Sequence, residues 1–276
     1  MKLEANGWTL ELLPALGGAI GALRHEGRDV LRPVLQGTAD VLSTGCFPLV
    51  PYANRIAHGR FVFEGRTHQL PLNFGEHPHS LHGLGWQAAW TVAGTGADHA
   101  TLTHAHDGGA GWPWPYRAEQ RFTLAPGAAR VELSITNTGD VPMPAGLGLH
   151  PYFPCDAEPH LAFSAERVWL ADDTMLPTEP ATAAHFGDWS MGAPAAGATL
   201  IDNAYQGWDG AAGIEQGWGG FAMRCEGADV LHIYRPPRVG FFCAEPVGHL
   251  PDAVNRGGME TLAPGETRTL AMTLSV

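Results

Sequence analysis

The sequence is short of basic residues and of long apolar runs. Its 276 residues include 16 Lys and Arg against 28 Asp and Glu, which gives a formal net charge of -12. Nucleic-acid binding relies on clustered Lys and Arg that neutralise phosphates, so we expect neither DNA nor RNA as a main partner. No apolar run is long enough to span a bilayer, and residues 1–20 lack the pattern of a secretory signal. We therefore expect a cytoplasmic protein without membrane association.

Cysteine is also scarce. The chain has four cysteines, at Cys46, Cys155, Cys225 and Cys243, and no two of them form a Cys-x-x-Cys pair. Wide scatter is typical of free buried thiols in a reducing compartment, and it argues against a disulfide framework or a zinc knuckle. We predict no redox role.

Glycine and proline, in contrast, are abundant. The chain has 36 Gly and 22 Pro, together roughly a fifth of its residues, which leaves little room for long helices. Such a composition favours many short strands joined by turns. A chain of this length with 45% hydrophobic residues buries a sizeable core, and all-β sandwiches of this size often form one domain. We predict an all-β fold and a single domain over residues 1–276.

Five segments alternate apolar with polar residues, as half-buried strands do. These segments are Trp8–Leu13, Gly59–Glu64, Ala89–Ala93, Gln120–Leu124 and Arg130–Thr136. Turn signals at short spacing occur at 64–66, 126–128, 137–140 and 264–266. This pattern predicts a meander of hairpins and hence a large antiparallel β-sandwich. The stretch from Gly187 to Gly220 is rich in Ala and Gly, and we predict that it forms long loops over the sheet.

One acid interrupts an apolar segment near the C-terminus. Glu245 lies in the run Phe-Phe-Cys-Ala-Glu-Pro-Val, which otherwise has the pattern of a buried strand. Burial of a carboxylate is costly unless it is paired or neutralised, so this residue is either a satisfied structural group or a functional one. Taken alone, the structural interpretation is favoured.

Further polar clusters are predicted at strand-end loops, where functional residues often lie. They are Asn54–Arg55, Glu76–Gly83, Gly148–Phe153, Ile201–Tyr205 and Pro251–Asn255. Each has a simple structural explanation when taken alone. Asp202 is explained as a turn residue, and His150 is explained as a packed histidine whose ring nitrogens bond to the backbone.

Taken together, in order and type, these segments resemble the aldose 1-epimerases, or galactose mutarotases. The resemblance runs through Leu13–Ile20, Pro51–Phe61, Ser80–Gly83, Thr136–Asp140, Gly148–Phe153, Pro251–Asn255 and Leu262–Glu266. It implies a galactose mutarotase-like supersandwich with a monosaccharide in a cleft over one sheet. It also implies Glu245 as general base and His150 as general acid, with neither metal nor cofactor. Asn54, Arg55, His82 and Asp202 fall on positions that hold the sugar hydroxyls or the ring oxygen.

This chemistry suits the residue types. A carboxylate takes the proton of the anomeric hydroxyl while an imidazole protonates the ring oxygen, and the ring opens. Reference pKa values of about 4.3 for Glu and about 6.5 for His require His150 to be partly protonated or to lie near an acid. Partial burial is expected to raise the pKa of Glu245 and make it a better base. Arg55 and His82 are expected to stabilise negative charge on sugar oxygen.

The choice of sugar is left open by the sequence. His232 lies where better-known galactose enzymes often carry a Gln, so the natural aldose stays undefined. Asp209 lies close to Asp202 in sequence, although Asp-Asn-Ala-Tyr at 202–205 fits the family pattern better. Sugar C–H faces stack on aromatic rings, and the candidates beside the matched segments are Trp86, Tyr152 and Trp208. A phosphorylated hexose is less expected than a free sugar, because no clear basic cluster is present.

Two other functions stay open. A metal-dependent cupin-like enzyme would use His77, His79 and His82, and His104 and His106 repeat the alternate spacing. The turn at Pro78 works against a regular strand that carries all three histidines. The second is a non-catalytic sugar-binding or sensing protein on the same fold, and the distinguishing feature is whether Glu245 and His150 face each other across the bound sugar. The acidic composition is compatible with a monomer or a homodimer.

Overall fold

The fold consists almost entirely of strands. A computed structural model describes residues 1–35, 37–156 and 158–276. In chain order, its strands are β1 (Lys2–Ala5), β2 (Trp8–Leu13), β3 (Ala19–His25), β4 (Arg28–Leu31), β5 (Cys46–Leu49), β6 (Arg55–Ile56), β7 (Arg60–Phe63), β8 (Arg66–Gln69), β9 (Ser80–Leu81), β10 (Thr91–Thr95), β11 (His99–Gly109), β12 (Trp112–Ala125), β13 (Ala128–Asn137), β14 (Met143–Ala145), β15 (Gly148–Pro154), β16 (His160–Phe163), β17 (Arg167–Ala171), β18 (Pro177–Thr182), β19 (Ala193–Pro194), β20 (Ile201–Gln206), β21 (Ala211–Gln216), β22 (Gly219–Glu226), β23 (Val230–Arg235), β24 (Phe241–Val247), β25 (Glu260–Leu262) and β26 (Thr267–Ser275). The described helices are α1 (Ala253–Arg256) and four 3-10 turns at Val41–Ser43, Ala57–Gly59, Gly85–Gln87 and Trp189–Met191.

Two large antiparallel sheets form the sandwich. The first has the order β1-β2-β3-β5-β15-β24-β23-β20-β17-β18, with β4 added beside β3. The second has the order β10-β11-β12-β13-β26-β22-β21-β16-β19. The predicted all-β sandwich is confirmed, and the five predicted strands correspond to β2, β7, β10, β12 and β13. Strands β1 to β4 and β10 to β13 form simple meanders, whereas pairs such as β5 with β15 and β13 with β26 join segments that are distant in sequence.

The two faces of the first sheet bury different sets of side chains. On β24, Phe242 and Ala244 join the main core that lies against the second sheet, whereas Cys243 and Val247 join a smaller cluster on the opposite face. Successive side chains of a strand point to opposite faces, so Glu245 shares the face of the smaller cluster. Because both faces of β24 are buried, its sequence is an almost continuous apolar run.

The loops predicted between Gly187 and Gly220 are not what the structure shows. This stretch contains β20 and β21, and β20 pairs with β17 and β23 inside the first sheet. Ile201 and Tyr205 on β20 are fully buried. The short strand lacks a strong alternating pattern of its own, and pairing on both edges stabilises it instead.

The cysteines are free thiols, as predicted. Cys46 and Cys243 are buried, whereas Cys155 and Cys225 are half-buried, so the prediction of burial holds for two of the four. The longest α-helix in the described part of the chain has four residues, and none is long and apolar enough to cross a membrane.

Candidate active site

A single row of side chains crosses the first sheet beneath its open face. The register of β15 with β24 places Gly148 opposite Val247, and the same register places His150 opposite Glu245. The pairing of β24 with β23 places Glu245 opposite His232. Directly opposed side chains in an antiparallel pair point to the same face and lie in contact range. Pairing of three strands thus brings an imidazole, a carboxyl group and a second imidazole side by side.

This row forms the floor of a cavity of about 270 Å³. All six site residues predicted from the sequence line this one cavity. The full lining is Leu42, Asn54, Arg55, Phe74, Leu81, His82, His150, Tyr152, Asp202, His232, Tyr234, Phe241 and Glu245. The prediction that such groups lie on strand-end loops is wrong for four of them. Arg55 begins the short strand β6. His150, Asp202 and Glu245 lie within strands of the first sheet, which orients them.

The pair at the centre is almost completely buried. His150 Nε2 lies 3.3 Å from Glu245 Oε1, and the two side chains are 8% and 2% exposed. The His150 ring packs against Phe47 and Tyr152, with centroid distances of 4.5 and 4.7 Å. His150 Nδ1 and Glu245 Oε2 have no hydrogen-bond partner among the described residues. Contact with the Phe47 and Tyr152 rings therefore fixes the imidazole beside the carboxyl group.

Burial changes the protonation of this pair. Burial, with a smaller contribution from the Asp202 charge, raises the pKa of Glu245 well above its ordinary value. Burial, followed by the neighbouring His232 ring, lowers the pKa of His150 to about 3. Both shifts favour the neutral forms, with the proton of the pair on the carboxyl group. The expected rise in the pKa of Glu245 is confirmed, and its burial is complete rather than partial. His150 was expected to be partly protonated or to lie near an acid. Its lowered pKa leaves only the second condition, which Glu245 meets.

The second carboxyl group in the cavity is held as an anion. Arg55 Nη2 donates to Asp202 Oδ2 at 2.9 Å, and His232 Nε2 lies 2.6 Å from Asp202 Oδ1. Burial alone would raise the pKa of Asp202, but His232 and Arg55 outweigh burial and hold that pKa below its usual range. A carboxylate has about four lone-pair sites, so Asp202 can still accept bonds from a ligand.

A turn brings Asn54 and His82 together beside this carboxylate. Both residues have a left-handed backbone, with φ of 57° and 58°. The Asn54 amide N–H donates to His82 Nδ1 at 3.0 Å, so the His82 proton lies on Nε2. Burial, followed by His150 and Arg55, lowers the pKa of His82 well below its ordinary value. His82 is therefore a neutral N–H donor and not the cation that charge stabilisation would favour.

Three aromatic candidates were predicted, and one lines the cavity. Tyr152 does so, but Trp86 packs behind His82 and against Phe47, and Trp208 donates its indole N–H to the Ala211 carbonyl outside the cavity. The sequence reasoning missed Tyr234 and Phe241 as lining residues, and it left His232 without a role. Strand alternation counted from Glu245 and His232 was the signal that would have found them.

Asp209, the alternative acid, and the histidines of the alternative metal site bond to other groups of the protein. Asp209 is exposed and accepts the Ala211 amide. His77 Nδ1, His79 Nδ1 and His82 Nδ1 each accept a backbone amide, so these histidines do not converge on one point. His104 and His106 lie on β11 in the other sheet, beside Tyr116 and the Trp112 carbonyl.

Among the described residues, the set of three converging donor side chains is a different one. It consists of His150, Cys243 and Glu245, whose ligand atoms lie within 4.8 Å of one another. The predicted histidine cluster therefore offers no coordination geometry, and any cation site would lie at the floor of the cavity.

Comparison with known proteins agrees with this geometry. The family model described as aldose 1-epimerase matches residues 5–275. The uncharacterized protein YphB of Escherichia coli K12 is 34% identical, over 94% of this chain and 93% of its own. A crystal structure of a candidate aldose 1-epimerase from Escherichia coli K12 has a TM-score of 0.91 at 33% identity, and it covers 99% of this chain and 97% of its own. Galactose 1-epimerase from Lactobacillus acidophilus shares the fold, with a TM-score of 0.82 at 17% identity over 99% and 92% of the chains. The chain therefore belongs to the aldose 1-epimerase family.

Proposed function

We propose that this protein interconverts the α and β anomers of a neutral free aldose, with Glu245 as base and His150 as acid. The observation that carries this proposal is the isolated His150–Glu245 pair on the cavity floor. A carboxyl group and an imidazole face each other there at 3.3 Å, and both residues line the cavity. Family membership supports the same reaction class.

The reaction balances with the groups of this chain and the sugar alone. Glu245 takes the proton from the anomeric hydroxyl, the C1–O1 bond becomes a carbonyl, and the bond from C1 to the ring oxygen breaks. His150 gives its proton to the ring oxygen at the same time. Rotation about C1–C2 turns the aldehyde, and the ring closes on its other face while the two residues exchange roles.

One proton is sufficient for this cycle. Carboxylate with imidazolium is the arrangement before ring opening, and carboxylic acid with imidazole is the arrangement after it. The free protein favours the second arrangement because burial penalises both charges. A sugar hydroxyl that donates to Glu245 favours the ionised form and returns the proton to the imidazole.

The charges around the cavity favour a neutral sugar. Arg55 is the cationic side chain among the described lining residues, and its guanidinium already pairs with Asp202. A phosphate or carboxylate on the sugar would need a cation free to bind it, and it would be repelled by Asp202. His82 Nε2–H and Asn54 supply neutral hydrogen bonds that suit hydroxyl groups.

Polarimetry of freshly dissolved α-galactose and α-glucose tests the proposal at low buffer catalysis. We expect acceleration by the wild type and a loss of at least about 100-fold in kcat/KM for Glu245→Gln and for His150→Asn. Glu215→Gln, an exposed position on β21 in the other sheet, is the matched control and should keep full activity. A wild type that accelerates neither sugar, nor any of a wider panel of aldoses, would refute catalysis and leave sugar binding as the function to test.

A further inference from the structure

The proposed mechanism leaves one nearby group unused, the thiol of Cys243. Cys243 precedes Glu245 by two residues on β24, so the two side chains share a face of the sheet. Its sulfur, one carboxylate oxygen of Glu245 and one ring nitrogen of His150 all lie within 4.8 Å of one another. Cys243 is completely buried, directly beside the cavity floor.

The spacing of His150 and Glu245 suits two ligands of a tetrahedral cation. Two ligands on tetrahedral zinc, with bonds of about 2.0–2.1 Å, lie about 3.3 Å apart. The observed distance between His150 Nε2 and Glu245 Oε1 is 3.3 Å, which is longer than a typical N–H···O hydrogen bond. One imidazole, one thiolate and one carboxylate form a ligand set suited to Zn²⁺ and to the softer Cd²⁺.

We propose that His150, Cys243 and Glu245 form an exchangeable site for a thiophilic divalent cation, Zn²⁺ or Cd²⁺, and that the bound cation inhibits the enzyme. The cation would occupy both groups that transfer protons in the proposed mechanism. Inhibition therefore rests on the proposed function, whereas cation binding does not.

The charge balance of the buried cluster permits this binding. Burial favours the neutral form of each donor, because it raises the pKa values of Glu245 and Cys243 and lowers that of His150. A divalent cation displaces one proton from the carboxyl group and one from the thiol. The net charge of the cluster does not change, and the cost of burying an uncompensated charge is avoided.

Access and outer contacts make the site exchangeable. His150 and Glu245 line the cavity, so a cation enters by the route of the sugar and keeps a coordination position toward the cavity. A zinc-bound histidine normally donates its second N–H to a protein group, and loss of that contact costs about 10- to 100-fold in affinity. His150 Nδ1 has no such partner among the described residues, which favours reversible binding over a permanent metal centre.

Cadmium binding to the chelator-treated, full-length protein tests the site directly. We expect Cd²⁺ to produce an ultraviolet thiolate-to-cadmium band that saturates at one cation per chain, and Zn²⁺ to compete it away. Cys243→Ser should abolish the band, and His150→Asn should weaken binding at least about tenfold. Cys225→Ser removes a half-buried thiol in the other sheet and should keep the band. Circular dichroism verifies folding, and Cys243→Ala replaces Cys243→Ser if the hydroxyl disturbs the core.

Activity measurements test whether the bound cation inhibits the enzyme. Zn²⁺ should inhibit mutarotation by the wild type, and at least about tenfold more Zn²⁺ should be needed for Cys243→Ser. A band that is absent from the wild type, that persists in Cys243→Ser, or that is indifferent to His150→Asn would overturn the site. If the wild type has no mutarotase activity, the cadmium titration still decides whether the cation site exists.

Discussion

At the scale of single residues, the cavity separates two carboxyl groups by their surroundings. Among the described residues Glu245 has no Lys or Arg in contact, and burial raises its pKa. Asp202 lies between Arg55 and His232, and these partners keep it ionised. Two like groups with pKa values moved in opposite directions are typical of acid–base sites. The pattern supports different tasks for the two acids, with Glu245 in proton transfer and Asp202 in orientation.

The raised pKa of Glu245 predicts a stability penalty at neutral and alkaline pH. The unfolded chain releases this proton above about pH 4.3, whereas the folded protein retains it to a higher pH. The free energy of unfolding therefore falls as the pH rises through that window. Glu245→Gln removes the ionisation, so we expect it to exceed the wild type by about 1–3 kcal/mol at pH 8 and to match it more closely at pH 4.

Urea unfolding at pH 4, 6 and 8 measures this difference, with Glu215→Gln as the exposed control. Parallel pH profiles for wild type and Glu245→Gln would show that Glu245 titrates normally in the folded protein. The activity loss predicted for the same variant makes the two effects separable, since a variant that is more stable and less active is not unfolded.

At the scale of elements, strand register forms the floor of the site and one turn forms its side. The turn pairs β6 with β9 and ends in His82 and Gly83. Gly83 has φ of 72°, and a Cβ atom there would lie 2.4 Å from the Val50 carbonyl oxygen. A side chain is excluded both by backbone conformation and by contact.

Gly83→Ala should therefore lower the free energy of unfolding by about 2–4 kcal/mol and reduce activity, because His82 is displaced with the turn. Gly65→Ala is the matched control. Gly65 has a similar φ of 75°, but a Cβ atom there would meet nothing within 4 Å. It should cost only about 1 kcal/mol, from backbone strain, and leave activity unchanged. Equal losses in the two variants would contradict a steric role for Val50.

At the scale of the whole molecule, distant parts of the chain share both sheets. The last strand, β26, lies between β13 and β22 in the middle of the second sheet. The main core draws side chains from both sheets, such as Phe242 from β24 and Leu133 from β13. We propose that residues 1–276 fold as one domain, because no single cut of the chain between these strands leaves both sheets complete.

One domain predicts one unfolding transition. Tryptophan fluorescence and far-ultraviolet circular dichroism should give coincident urea curves for the wild type. A chain that lacks residues 267–276 loses β26 from the second sheet, and we expect it not to fold. Two resolved transitions in the wild type, or a folded truncated chain, would contradict a single domain.

The sequence by itself determined the fold class and most of the cavity. Alternating apolar residues and frequent Gly and Pro predict an all-β sandwich because these signals are local. An acid inside an apolar strand pattern marks Glu245, and the ordered family segments bring in His150, Asn54, Arg55 and Asp202. Successive side chains of a strand alternate between its two faces, so the face on which a residue lies can be predicted from its position in the sequence.

Only the tertiary structure decided what depends on pairing between distant segments. β20 exists because β17 and β23 pair with both of its edges, and no local pattern indicates it. His232 joins the site through its register with Glu245. The lowered pKa of His150 also depends on its burial, to which Phe47 and His82 contribute from segments far away in sequence. Register and burial arise when separate segments pack, and for that physical reason neither can be obtained from the order of residues alone.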